Sequence, residues 1–344
     1  MDAPRTPESP LPFAPDSPWG RCLTHYLATL FHRSGSAASQ RKYRATLTAF
    51  FARVGRPPDA CSREDILSFI YAPCYGHYHR GKPPGAGTVN GRLAILSSFY
   101  AFATTYTCTD EQGALQRLFD RASPTAGLHA GQTNRAYRAF SFAELERFFA
   151  VIAPDTVQGK RDRALFLCYL WTARRISEIA ELCLGDIEQA IMFEGGRQRD
   201  GWLYHFRNKG HKSVDDSAEL PRPAKEAIDR YLDASGRRAT MTAASPIFVA
   251  VGGRNTRGTP LAPHVIHYLF KRYVRLAGLD GSRLTVHSFR HTAARERFLA
   301  GSDLLEIQQL LRHQNLATTA RYIQSLIGTA DPGAALLEKK FGKL

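Results

Sequence analysis

The sequence predicts a mainly α protein in two parts: an N-terminal helical bundle, then a mixed α/β domain with a small antiparallel sheet. Three observations carry this reading. Apolar residues recur at helical spacing through the first hundred positions and again near the C-terminus. Two short strand-like runs, 190–193 and 202–206, are followed by a turn signal at Asn208-Lys209-Gly210-His211. An aperiodic stretch separates the parts, and 344 residues at roughly 150 per domain suggest two of them.

Residues 1–18 hold six prolines and no apolar periodicity, so they read as a disordered tail. A helical domain is expected over 19–120. Tyr43, Leu47, Phe50, Phe51 and Val54 form one helical stripe, and Val89, Leu93, Leu96, Tyr100 and Ala103 form another. Ser62 suits the N-cap of a helix running to Tyr71, with Asp65 near its positive end. A basic Gly/Pro-rich loop, 76–87, joins the last two helices. Residues 121–139, with Arg121, Arg135 and Arg138, read as a basic linker. The second domain, 140–330, opens where Ser141 and Glu144 fit a capping box and Phe140 and Leu145 a hydrophobic staple. A buried helix over 163–171 precedes the strands. Helices at 221–233 and 263–277 each have a proline near the start. The end is helical again: 286–300 stopped by Gly301, 303–312 behind an Asp303/Glu306 cap, and 316–324. Residues 331–344 form a short tail.

Charge narrows the function. Forty-six Lys+Arg against 31 Asp+Glu leave a net +15, which calls for a polyanionic partner, nucleic acid or an anionic membrane surface. The longest apolar stretch, 164–173, is ten residues against the ~20 that span a bilayer, so no membrane is expected. No basic-then-apolar leader opens the chain, so neither is export. The six cysteines read as reduced, buried thiols of a cytosolic protein. Cys74, His77 and His79 suggest zinc by type, but a fourth ligand at useful spacing is missing, and no metal is expected.

Three segments concentrate cations and proton-transferring groups: Thr172-Ala-Arg-Arg175-Ile-Ser-Glu178-Ile, His287-Ser-Phe-Arg290-His291-Thr, and Leu311-Arg-His313-Gln-Asn-Leu-Ala-Thr-Thr-Ala-Arg-Tyr322. In a helix, His287 and Arg290 share a face. Nine positions separate His313 from Tyr322, which one continuous helix would place on opposite sides. They converge only if the chain bends, and Asn315, a good N-cap, supplies the bend. Two arginines, histidines, a lysine and a tyrosine without a carboxylate cluster suit an anion whose charge grows in the transition state, such as a phosphodiester under attack. No carboxylate constellation for Mg²⁺ stands out. Tyrosine, with its usual pKa near 10, is a poor nucleophile until its anion is stabilised, and guanidinium groups would do that.

The three segments resemble the boxes of the tyrosine recombinase (phage integrase) family, Xer/integrase-like: T-G-L-R-I-S-E-L, H-x-x-R-H-T and L-G-H-x-x-x-x-T-x-x-x-Y. They occur in the family's order over about 140–325. The resemblance implies a SAM-like core-binding bundle followed by a catalytic domain of the DNA breaking-rejoining fold, together a C-shaped clamp on duplex DNA. It implies that Arg175 and Arg290 hold the scissile phosphate and that His287 and His313 hydrogen-bond it. Tyr322 would be the nucleophile of a 3′-phosphotyrosyl intermediate, and Glu178 would support the first box. A hairpin lysine would protonate the departing 5′-oxygen; Lys209 fits best, with Lys212 the alternative. His291 is read as supporting the fold. Neither metal nor ATP is implied, and no G-x-x-x-x-G-K-[ST] loop is present. The resemblance further implies four protomers acting on two specific DNA sites through a Holliday junction, in a bacterial cytoplasm at the nucleoid, with residues 331–344 docking on a neighbour.

The chain departs from the pattern at Ala173 and Arg312, where the family has glycine, at Arg174, where it has an apolar residue, and in the acidic KSVDDSAELP stretch. Arg41, Lys42, Arg44, Arg80, Lys82, Arg92, Arg135 and Arg138 are candidate phosphate contacts, or simply a solvated face. Two other functions stay open on the sequence: a type IB topoisomerase-like relaxing enzyme, and a catalytically silent DNA-binding regulator.

Overall fold

The computed structural model describes residues 12–73, 81–109, 113–129, 131, 138–194, 196–206, 216–252, 258–281 and 283–327. The chain divides into two compact units, the first ending at Asn134 and the second opening at Arg135.

In the first unit, α1 (Pro18–Ser34), α2 (Ala37–Val54), α3 (Arg63–Ile70) and α4 (Ala86–Ala103) surround a core of Leu23, Leu27, Phe50, Phe51, Leu96, Phe99 and Tyr100. Both apolar stripes face that core, because a stripe is stable only when another element covers it. Local signals set the ends. Ser17 caps α1, the Ser62/Asp65 box opens α3, and Gly35 and Gly55 turn left-handed to close α1 and α2.

Three expectations are corrected here. Residues 12–17 are not tail: Phe13 packs on Phe51 with ring centroids 5.0 Å apart. The helical reading fails past Ala103, where β1 (Thr107–Thr109) and β2 (Leu115–Arg117) pair antiparallel; Thr107 and Thr109 favour extended backbone, and Gly113 has φ 84°. The first part of the expected linker packs on this unit, Arg121 donating to the Cys61 carbonyl at 2.7 Å and Leu128 lying against the core.

The second unit is larger. Its elements are α5 (Phe142–Ala150), α6 (Val157–Thr172), α7 (Ile176–Ala180), β3 (Ile187–Glu194), β4 (Arg197–Phe206), β5 (Asp216–Glu219), α8 (Arg222–Ser235), α9 (Pro263–Leu276), α10 (His287–Leu299), α11 (Leu304–Leu311) and α12 (Leu316–Ile327). The sheet is antiparallel in the order β3-β4-β5, with Ala190 opposite Gly201 and Tyr204 opposite Ala218. β5 was not expected, since Asp-Ser-Ala-Glu has no apolar alternation; pairing with β4 holds it extended. Phe140, Phe148, Phe166, Phe270 and Phe289 form an aromatic core across α5, α6, α9 and α10.

Inside this core, Arg161 bonds Asp162 at 2.6 Å and the Val249 carbonyl at 3.0 Å, while the Tyr273 hydroxyl donates to Asp162 at 2.7 Å. Desolvation still pushes the Asp162 carboxyl above its ordinary pKa. α10 has two partners. Phe289 faces the aromatic core, while Ala293 and Ala294 meet a smaller cluster of Ala173, Ile307, Leu311, Tyr322 and Ile323. That second cluster brings α10 and α12 together.

Of the described cysteines, Cys22, Cys61 and Cys168 are buried and Cys108 and Cys183 half-buried. Cys74, His77 and His79 lie outside the described residues. Among the described residues no helix is long and apolar enough to cross a membrane.

Candidate active site

The first box sits at a chain reversal. α6 ends at Thr172, and Ala173 caps it in the left-handed region at φ 52°. Arg175 is then the residue before α7. Glu178 accepts its backbone N–H at 2.9 Å and its guanidinium at 3.1 Å. The carboxylate is buried while the Arg175 side chain is 40% exposed, so Glu178 fixes a guanidinium that still reaches solvent.

The second box opens α10. His287 and Arg290 lie one turn apart there, and Arg290 is buried. Its Nη1 donates to the Ala173 carbonyl and its Nη2 to the Leu311 carbonyl. One guanidinium therefore ties together the turns that precede Arg175 and His313. Three of the five N–H groups of an arginine remain beyond those two bonds. Desolvation lowers the Arg290 pKa to about 10, with Tyr322 raising it and Arg175 lowering it.

The third box contains the expected bend. α11 ends at Leu311, Arg312 turns left-handed at φ 52°, and the Asn315 side chain accepts the Ala317 N–H at 2.8 Å to start α12. The rings of His313 and Tyr322 come within 5.6 Å, nearly perpendicular. His313 Nδ1 pairs with Thr319 Oγ1 at 3.0 Å. The Tyr322 hydroxyl lies against Nδ1 of His291, and both residues are 8% exposed. His291 is the residue the sequence reading left outside the catalytic set. Its signal was available: positions 287 and 291 are i, i+4 on a helix, and their rings lie 6.4 Å apart.

Three imidazoles are thus gathered near two guanidiniums, and all three are pushed below their ordinary pKa. Desolvation is the first cause in each. Arg290, His267 and Arg175 add to it at His287, and Arg290 and Arg175 at His313. At His291, desolvation, His287 and Arg290 bring the value to about 3. These shifts favour the uncharged form of the rings at neutral pH, beside the two guanidiniums. A phenol, neutral imidazoles and two guanidiniums can bind an oxyanion and pass protons around it.

The remaining candidates fall in several places. Lys209, Lys212, Arg80 and Arg135 lie outside the described residues. Arg41 and Lys42 are exposed on α2, Arg44 is half-buried, and Lys82 is exposed. Arg92 donates to the carbonyls of Phe69, Ile70 and Ala72 and stacks on Phe69. Arg138 bonds Glu144 and the Ala139 carbonyl. Two departures from the family pattern meet: the guanidiniums of Arg174 and Arg312 stack over Phe206, 4.1 and 4.4 Å from the ring centre. The two positions where the family has glycine keep its backbone, since Ala173 and Arg312 adopt the left-handed turn that glycine takes without strain.

Residues 138–327 match the model of the phage integrase family. The chain is 30% identical over 337 residues, 92% of its own length and 86% of the relative's, to tyrosine recombinase XerC of Rhodospirillum centenum. It is 32% identical over 242 residues, 68% of each, to tyrosine recombinase XerC of Syntrophus aciditrophicus. In fold it is similar to XerH site-specific recombinase bound to palindromic difH substrate in a post-cleavage complex, with TM-score 0.63, 15% identity, and 94% and 84% of the two chains covered. A lambda integrase tetramer bound to a Holliday junction gives TM-score 0.60 at 16% identity, covering 90% and 78%.

Proposed function

This chain belongs to the phage integrase family of tyrosine recombinases, and we propose that it recombines duplex DNA at specific sites with Tyr322 as nucleophile. One observation carries the assignment: the Tyr322 phenol, Arg175, Arg290, His287 and His313 come from three separated segments of the second unit and lie close enough to one another to interact electrostatically. Arg175 and Arg290 grip the non-bridging oxygens of the scissile phosphate, where planar guanidinium forks match paired oxygens. Tyr322 Oη attacks phosphorus as its phenolic proton passes to the neutral imidazole of His313 or His287, the bond to the 5′-oxygen breaks, and that oxygen takes a proton. Lys209 is the proposed donor, with Lys212 the alternative. His287 and His313, neutral at working pH, hydrogen-bond the phosphate. The product is a 3′-phosphotyrosyl ester and a free 5′-hydroxyl. Because the ester conserves the free energy of the broken bond, attack by another 5′-hydroxyl rejoins the strand without ATP, and guanidinium groups rather than a metal meet the developing charge.

Four protomers acting through a Holliday junction complete the proposal, supported by the tetrameric lambda integrase fold neighbour. Residues 331–344 are its docking segment, and the cytoplasm is its place of action. Arg41, Lys42, Arg44 and Lys82, with Arg80 and Arg135, serve as phosphate contacts. Arg92, which donates to three carbonyls and stacks on Phe69, and Arg138, which pairs with Glu144, are proposed to hold the fold instead.

A nicked suicide substrate tests the assignment. The wild type is expected to form an SDS-stable adduct at the 3′-phosphate, and Tyr322→Phe none; an undiminished adduct in that variant removes Tyr322 from the role. Arg175→Ala should lose ~10²–10³ in cleavage rate while still binding DNA. A plasmid with two sites separates this reading from topoisomerase action: recombinant products support it, and relaxation alone overturns it.

A further inference from the structure

The hydroxyl of Tyr322 does not lie loose in its pocket. The small side chains of Ala293 and Ala294 on α10 pack in one cluster with Tyr322 and Ile323 of α12, and the His291 ring lies 5.3 Å from the phenol ring at a 42° tilt. Nδ1 of His291 then meets Tyr322 Oη. His291 follows Arg290 directly, so the backbone segment that positions the phosphate-holding guanidinium also positions the partner of the nucleophile.

We propose that His291 is a further catalytic residue, which accepts a hydrogen bond from the Tyr322 hydroxyl through Nδ1 and so fixes the nucleophilic oxygen before the strand is cut. The inference rests on the reading of Tyr322 as nucleophile. A phenol is a donor, and only a neutral imidazole nitrogen can accept from it. Burial, with His287 and Arg290 alongside, keeps the ring neutral well below pH 7. The same weakness as a base suits His291 to placing the hydroxyl rather than removing its proton. Placement matters because a shift of about 1 Å in a reacting group can cost ~10²-fold in rate.

Single-turnover cleavage of the suicide substrate by the full chain tests this with three variants. In His291→Asn, the side-chain oxygen stands the same number of bonds from Cα as Nδ1, whereas His291→Gln carries its amide one bond farther. His291→Phe keeps a ring and removes the acceptor. Wild type and Tyr322→Phe run beside them. Phe and Gln variants are expected to lose ~10–10² in rate at unchanged DNA affinity, and Asn to recover to within about threefold of wild type with an unaltered pH–rate profile. A Phe variant as fast as wild type overturns the proposal, as do equal rates for Asn and Gln. An Asn variant as slow as Phe with a changed pH–rate profile also overturns it, by making the imidazole a proton acceptor. If the Phe variant does not fold, the Asn–Gln comparison decides alone. An adduct that persists in Tyr322→Phe sinks the parent reading instead, so the two failures are distinct.

Discussion

His287, His291 and His313 share a titration sign with a consequence for stability. Each has a folded-state pKa below its ordinary value, and His291 falls to about 3. Between that value and about 6.5, the unfolded chain binds more protons than the folded one, so stability rises with pH across the window. The His291 contribution is complete above about pH 6.5 and is lost as pH falls toward about 3, and His287 and His313 act in the same direction below 6.5. At roughly 1.4 kcal/mol per pKa unit, His291 alone is worth a few kcal/mol over that span. Urea unfolding at pH 7, 5.5 and 4 should show His291→Asn losing less stability on acidification than wild type; identical pH dependence would remove His291 as the source. Residue-scale legibility was uneven for a physical reason. The bend that joins His313 to Tyr322 was readable because Asn315 caps by its own chemistry. The contact between His291 and Tyr322 was not, because it depends on how closely two helices pack. The left-handed turns at Ala173 and Arg312 were hidden as well: losing glycine from a motif does not reveal that the backbone kept glycine's conformation, at a cost of about 1–2 kcal/mol each.

At the scale of elements, Phe206 joins three pieces of chain. It ends β4 and carries Arg174 and Arg312 on its ring, and these flank Arg175 and His313 in sequence. A cleft of about 1010 Å³ opens beside it, with Arg174, Arg312 and His313 in its wall. Arg174 is buried and also donates through Nε to the Tyr204 hydroxyl. Phe206→Leu keeps most of the bulk but removes the π face, so the two cation–π contacts, about 0.5–2 kcal/mol each, are lost. The expected result is a melting temperature lower by a few degrees and cleavage reduced more than DNA binding, because the turns that carry Arg175 and His313 loosen. A variant that melts and cleaves like wild type would show that the ring merely fills space. The helices of this unit were legible from stripes, caps and prolines, each a local signal. β5 and the β1–β2 hairpin were not, because their short segments become strands only by pairing with a neighbour.

At the scale of the whole molecule, the aperiodic stretch marked the division into units, but composition alone could not show that Arg121 and Leu128 pack on the first. The net charge of +15 yields a testable statement about binding. Neutralising DNA phosphates releases counterions, so log affinity should fall linearly with log salt, by about 0.9 per phosphate contact. With six to ten contacts, affinity drops ~10³–10⁵ between 50 and 200 mM salt. Exposure orders the basic residues proposed to contribute. Arg41 and Lys42 are exposed on α2, so Arg41→Ala and Lys42→Ala should each flatten the slope by about one while leaving the fold intact. Arg92 is a control of the opposite kind. Its guanidinium holds the carbonyls at the end of α3, so Arg92→Ala should lower the melting temperature and leave the slope unchanged. Fluorescence anisotropy across a salt series reads the slopes, and thermal melts read the fold. A flat wild-type slope would detach the charge from DNA binding, and a slope that changes with Arg92 but not with Arg41 or Lys42 would reverse the assignment of which arginines face the phosphates.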